Sequence, residues 1–96
     1  MPKLLAAVIG LGSIAAAVVA SAEPPTGAVA CSGCHPTSSR VTSPVGRLAG
    51  LDRAAIVRAM QEFRTGQRAG TVMDRIAKGF TDDEIQAIAA WYAAQK

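Results

Sequence analysis

The sequence predicts a small all-α domain, and three observations carry that reading. Thr81-Asp82-Asp83-Glu84 stands ahead of Ile85, Ile88, Ala89 and Tyr92, a capping box followed by an apolar stripe at helical spacing. Ile56, Met60 and Phe63 recur on one helical face, between Asp52, a good N-cap, and Gly66, a residue suited to ending a helix. No β-rich alternation flanks the only two cysteines, Cys31 and Cys34.

The 96 residues carry a formal net charge of +3 and suffice for one domain. The beginning of the chain reads as a leader. Lys3 is followed by a nearly unbroken apolar run over residues 4–19, then by the small-x-small pattern Ala20-Ser21-Ala22. Glu23-Pro24-Pro25 follows at once and stops any helix from continuing. Residues 1–22 are therefore expected to be a signal peptide cleaved after Ala22, and 23–96 the mature domain in the periplasm. A retained membrane anchor is the alternative, because the run approaches the roughly 18 residues needed to span. The mature part, about 74 residues, is small enough that an apolar core alone is marginal, so a staple or bound group is expected. Without Lys3, nine basic side chains face seven acidic ones, and no basic stripe is interleaved with aromatics. Nothing there points to nucleic acid.

Cys31-Ser32-Gly33-Cys34-His35 is a C-x-x-C-H sequence, which reads as an attachment site for one haem c. Thiols three residues apart share one side of a helical turn, where each can bond a vinyl group of the same porphyrin. The adjacent His35 can then offer its imidazole to the iron. Small Ser32 and Gly33 let the backbone come close. A thioredoxin-like pair would need a βαβ setting, and a zinc site about four ligands. The mature chain has two cysteines and one histidine.

His35 being the only histidine, the sixth ligand falls to Met60 or Met73. Met60 lies on the Ile56–Phe63 face, where methionine is ordinary core filling. Met73 follows Gly66, Gly70 and Thr71 in a loop-like stretch from which a thioether can reach the iron, so Met73 is assigned. His/Met ligation closes the coordination sphere and raises the potential, which suits electron transfer.

Element by element, a short first helix is expected over about residues 27–35 with Thr26 as N-cap. A polar loop over 36–44 should pass under the proximal side, with Pro44 offering a carbonyl to the His35 ring. Asp52 should cap a helix over about 53–65 that Gly66 ends. Thr71 is expected to cap a brief helix near 74–78, closed by Gly79. In the final helix Phe80 and Ile85 form a hydrophobic staple, and three acidic residues favour the positive end of its dipole. Trp91 lies beside the apolar stripe, where it can cover the haem edge. Arg64 and Arg68 are candidates to pair with haem propionates.

The order of signal sequence, C-x-x-C-H, helix, Met loop and capped final helix resembles the class I cytochromes c. The segments 63–66 (Phe-Arg-Thr-Gly) and 70–85 (Gly-Thr-Val-Met-Asp-Arg-Ile-Ala-Lys-Gly-Phe-Thr-Asp-Asp-Glu-Ile) are similar to the cytochrome subunits of flavocytochrome c sulfide dehydrogenases. The resemblance implies a class I fold wrapped around one covalent haem. It also implies thioether attachment at Cys31 and Cys34, and His35 and Met73 as axial ligands. In that family a separate FAD-containing flavoprotein subunit oxidises sulfide and passes electrons to the cytochrome. No flavin-binding pattern exists in this chain, so a flavoprotein partner is implied, with other redox proteins as acceptors.

The sequence reading is thus an electron-transfer protein and not an enzyme: the chain has no second histidine, no spare cysteine and no paired carboxylates beyond those of the helix cap. A freely diffusing monohaem carrier is the runner-up. A haem-based gas sensor would need Met73 to be absent from the iron, and a disulfide-stapled module would be colourless.

Overall fold

Two helices form the frame, and local signals start and stop both. Helix α2 (Arg53–Thr65) begins where the Asp52 carboxylate accepts the Ala55 N–H at 3.2 Å. It ends at Gly66 in the left-handed conformation, φ 81°, as the sequence predicts. Helix α4 (Asp82–Ala93) begins with the full capping box. The Thr81 hydroxyl accepts the Glu84 N–H at 3.2 Å, and the Glu84 carboxylate accepts the Thr81 N–H at 3.0 Å. Phe80 packs on the buried cluster to which Ile85, its expected staple partner, belongs.

The protein is described by a computed structural model covering Gly10, Gly12 and residues 23–96; the predicted signal peptide, residues 1–22, lies otherwise outside the described residues. Helices α1 (Ala28–Cys31), α2, α3 (Met73–Ile76) and α4 follow one another, with a 3₁₀ turn over Ala77–Gly79 before α4. The fold is all-α, with no strand among the described residues. No helix among them is long and apolar enough to cross a membrane.

Helices α2 and α4 pack through Ile56 and Val57 against Ile85, Ile88, Ala89 and Tyr92, and Ala28 of α1 joins them. The predicted core face of α4 is therefore buried. Each isoleucine in it contributes about 1.5–3 kcal/mol by leaving water. Polar ties run along the same seam. Arg53 donates to Gln86 at 3.0 Å, Gly50 N–H donates to the Tyr92 carbonyl at 3.0 Å, and Arg64 pairs with Asp82 at 2.5 Å.

Two short elements differ from expectation. Helix α1 stops at Cys31 instead of reaching His35, and its N-cap is Gly27 (φ 88°), not Thr26. Turn-type bonds continue the coil: Cys34 and His35 both donate to the Cys31 carbonyl, at 3.2 and 2.9 Å. Regular helix fails because Gly33 is a poor helix former and Pro36 drives His35 away from the helical region. Helix α3 begins at Met73 with Val72 at its N-cap and no side-chain cap, so Thr71 does not cap it. The stretch then tightens into the 3₁₀ turn that closes at Gly79.

Candidate haem site

The C-x-x-C-H residues sit on α1 and the turn after it. Cys31 is half-buried against the hydrophobic core and Cys34 is exposed; neither is in a disulfide. Burial pushes the Cys31 thiol up from its ordinary range, partly offset by a backbone hydrogen bond. Its Sγ lies 3.5 Å from the Gly27 carbonyl.

His35 is held by its other ring nitrogen. Nδ1 lies 2.5 Å from the Gly46 carbonyl. A carbonyl only accepts, so Nδ1 carries the proton and Nε2 keeps its lone pair for a metal. The sequence pointed to Pro44 for this role. The carbonyl comes instead from Gly46, two residues on, and a backbone acceptor leaves no side-chain signature to find.

Met73 opens α3 and is half-buried. Met60, Leu48 and Trp91 are half-buried on the same core cluster as Cys31. Trp91 stacks edge-on with Tyr92, ring centroids 4.8 Å apart. Its Nε1, like Oδ1 of Asp74, is buried without a hydrogen-bond partner. The two arginines proposed for propionates are engaged within the chain. Arg64 pairs with Asp82, and Arg68 pairs with Glu62 at 3.0 Å.

The residues present fit a covalently attached haem. Two thiols are free, one imidazole has its second ring nitrogen open, and the Met73 thioether stands on α3, which packs on α2 and not on α1. The protein also exposes large apolar side chains on the segments that carry these groups. Val29 precedes Cys31, Val41 and Val45 lie on the loop between His35 and Gly46, and Val72 and Ile76 flank Met73. A flat apolar macrocycle covers surface of that kind, and with only nine buried apolar residues the described core gains from it. Among the described residues no three His, Cys, Asp or Glu side chains converge as a metal cluster would require. An open groove of about 630 Å³ runs by Arg58, Gln61, Arg64, Gln67 and Asp82, and none of the four site residues lines it.

An all-helical fold with this cysteine and histidine spacing defines a small class I cytochrome c-like protein. No family profile matches the chain. It is 33% identical over 97 residues to the cytochrome subunit of sulfide dehydrogenase of Chlorobaculum tepidum, covering 95% of this chain and 88% of that protein. It is 31% identical over 70 residues to cytochrome c-554(548) of Halomonas halodenitrificans, covering 69% and 84%. A third relative, the thiosulfate dehydrogenase electron acceptor of Stutzerimonas stutzeri, is 35% identical over 65 residues, which are 66% of this chain and 30% of that longer protein. The chain belongs to the bacterial c-type cytochromes, haem-binding proteins that transfer electrons.

Proposed function

We infer that the chain is the electron-accepting cytochrome subunit of a periplasmic sulfide dehydrogenase and takes electrons from an FAD-containing flavoprotein subunit. Cys31 and Cys34 hold one haem c through thioethers, and His35 and Met73 are its axial ligands. When bound, the haem supplies a one-electron ferric/ferrous couple. The residues do the rest. The two thiols would hold the group covalently, the Gly46 carbonyl orients His35, and Met73 would serve as the second protein ligand. Residues 1–22 are the export signal, cleaved after Ala22. The observation that carries the reading is the His35 Nδ1 contact with the Gly46 carbonyl beside two free thiols, because it leaves Nε2 as the ring's metal-binding atom. The partner assignment is supported by similarity to the Chlorobaculum tepidum subunit along most of both chains.

A second reading, a freely diffusing monohaem carrier, is favoured by the match to cytochrome c-554(548), of which this chain covers 84%. One preparation separates the two. The full chain is produced in its native host, or in a host that matures c-type cytochromes together with a candidate flavoprotein. Copurification with an FAD protein, and reduction of the haem on adding sulfide, supports the subunit. A red protein that elutes alone and is not reduced through any flavoprotein supports the carrier. A colourless product whose mass lacks one haem overturns both.

A further inference from the structure

We propose that Phe63 is a positioning residue for Met73: its ring is the anvil against which the loop over residues 66–72 is folded, and it fixes where the methionine side chain begins. The inference rests on the reading of Met73 as the iron ligand.

The geometry runs through one continuous set of contacts. After Gly66 ends α2, the chain doubles back on the helix. Arg68 N–H donates to the Glu62 carbonyl at 3.2 Å, and the Arg68 guanidinium pairs with the Glu62 carboxylate. The same guanidinium stands 5.6 Å from the Phe63 ring centroid, a cation–π distance. Two residues later Gly70 presses on the ring so closely that a Cβ there would lie 2.9 Å from Phe63 Cε1 and 3.2 Å from Cδ1. That point is also 3.4 Å from Met73 Cβ. Phe63, Gly70 and the root of Met73 therefore meet at one place.

Only one of these partners is rigid. Phe63 belongs to α2, which Ile56 and Val57 anchor in the core, whereas Gly70 is an exposed loop residue. Methionine has three rotatable side-chain bonds and adapts freely, so its sulfur is placed only as well as its backbone is. In the Arg68–Glu62 pair the arginine is exposed and the glutamate half-buried, so the ion pair alone holds the loop weakly. The packing of α3 on α2 sets the general position of Met73, and the ring–glycine contact sets the path of the loop that leads into it. A side chain at Gly70 would force the ring or the loop to shift, and a shift of the loop carries Met73 with it.

The test uses the full chain matured with haem, in Phe63→Leu, Gly70→Ala, Phe63→Tyr, Thr81→Ala and Met73→Ala forms. Three readouts report ligation: the long-wavelength thioether-to-ferric-iron absorption band, the reduction potential, and carbon monoxide binding to the reduced protein. Phe63→Leu and Gly70→Ala should weaken the band and lower the potential. Apparent carbon monoxide affinity follows the fraction of molecules with a free sixth position, and should rise by about tenfold. Phe63→Tyr keeps the ring and should behave as wild type. Thr81→Ala, which only uncaps α4, should lower Tm and leave the band alone. If Met73→Ala abolishes the band while Phe63→Leu and Gly70→Ala leave all three readouts at wild-type values, the positioning role is overturned and ligation stands. If Met73→Ala itself changes nothing, ligation by Met73 falls and the positioning role falls with it. Should Phe63→Leu fail to fold, Gly70→Ala probes the same contact from its exposed side.

Discussion

Tyr92 donates its phenolic hydrogen to the carbonyl of Ala28 at 2.6 Å, joining residues 64 positions apart. Both are fully buried. The bond ties the end of the last helix to the short coil that carries Cys31. Tyr92→Phe removes the donor and strands a buried carbonyl, a loss of about 1–3 kcal/mol. For a domain this small that lowers Tm by roughly 4–8 °C per kcal/mol. Thermal melts of the two forms check it. An unchanged Tm would mean that water replaces the phenol.

The same hydroxyl sets an alkaline limit. Burial, with a smaller contribution from the neighbouring Cys31 thiolate, pushes the Tyr92 pKa up from 10.0 to about 12. Thioether formation at Cys31, as proposed, would remove the second cause and leave the first. The folded state holds this proton more tightly than the unfolded chain. Its contribution is complete below pH 10 and is lost as pH rises through about 12. Tyr92 is the only tyrosine, so ultraviolet phenolate absorbance reports it alone. The signal should rise together with unfolding, and a reversible titration centred on pH 10 in the folded protein would contradict the assignment.

At the acid end the sensitive group is Glu84. The Thr81 N–H, and then the Thr81 side chain, hold its carboxyl below the ordinary value of 4.5. A lowered carboxyl stabilises the fold above pH 4.5, and that contribution fades as pH falls through the lowered value. Glu84→Gln keeps an acceptor but cannot titrate, so its melting temperature should fall less steeply than wild type across that window. Thr81→Ala, which removes the other half of the box, should cost about 1 kcal/mol at any pH where the protein folds. Melting curves from pH 3 to 7 distinguish the two variants.

Gly27 is the strictest glycine position. Its φ of 88° is left-handed, and a Cβ there would lie 2.5 Å from Phe80 Cε1. Gly27→Ala combines a left-handed penalty of about 1–2 kcal/mol with displacement of the Phe80 ring. Gly79→Ala, where nothing lies within 4 Å of the added Cβ, is the matched comparison. Denaturant titrations should show the first variant clearly less stable than the second; equal midpoints would show that Phe80 moves aside freely.

How far the sequence reveals all this depends on the range of each signal. Helices α2 and α4 are legible because Asp52, Gly66 and the Thr81–Glu84 box act within a few residues of the ends they define. The C-x-x-C-H motif is legible for the same reason. Helix α1 is overestimated because apolar residues before Cys31 suggest regular helix, whereas Pro36 acts backwards on His35. The Thr71 cap fails because Val72 takes the boundary position. Contacts across the fold leave weaker traces. Arg64 meets Asp82 from 18 residues away, and no local pattern marks that carboxylate as nearer than a propionate. Gly46 contributes only its carbonyl, and the Phe63–Gly70 contact depends on how tightly a loop returns.

Two of the contacts that hold the coil carrying Cys31, Gly27 against Phe80 and Ala28 against Tyr92, come from the C-terminal part of the chain. Synthesis runs from the N-terminus, so Cys31 and Cys34 emerge well before the residues that lock their coil in place. Until Phe80 and Tyr92 have been made, neither contact exists, and a truncation that removes Tyr92 costs the finished protein its latch on Ala28.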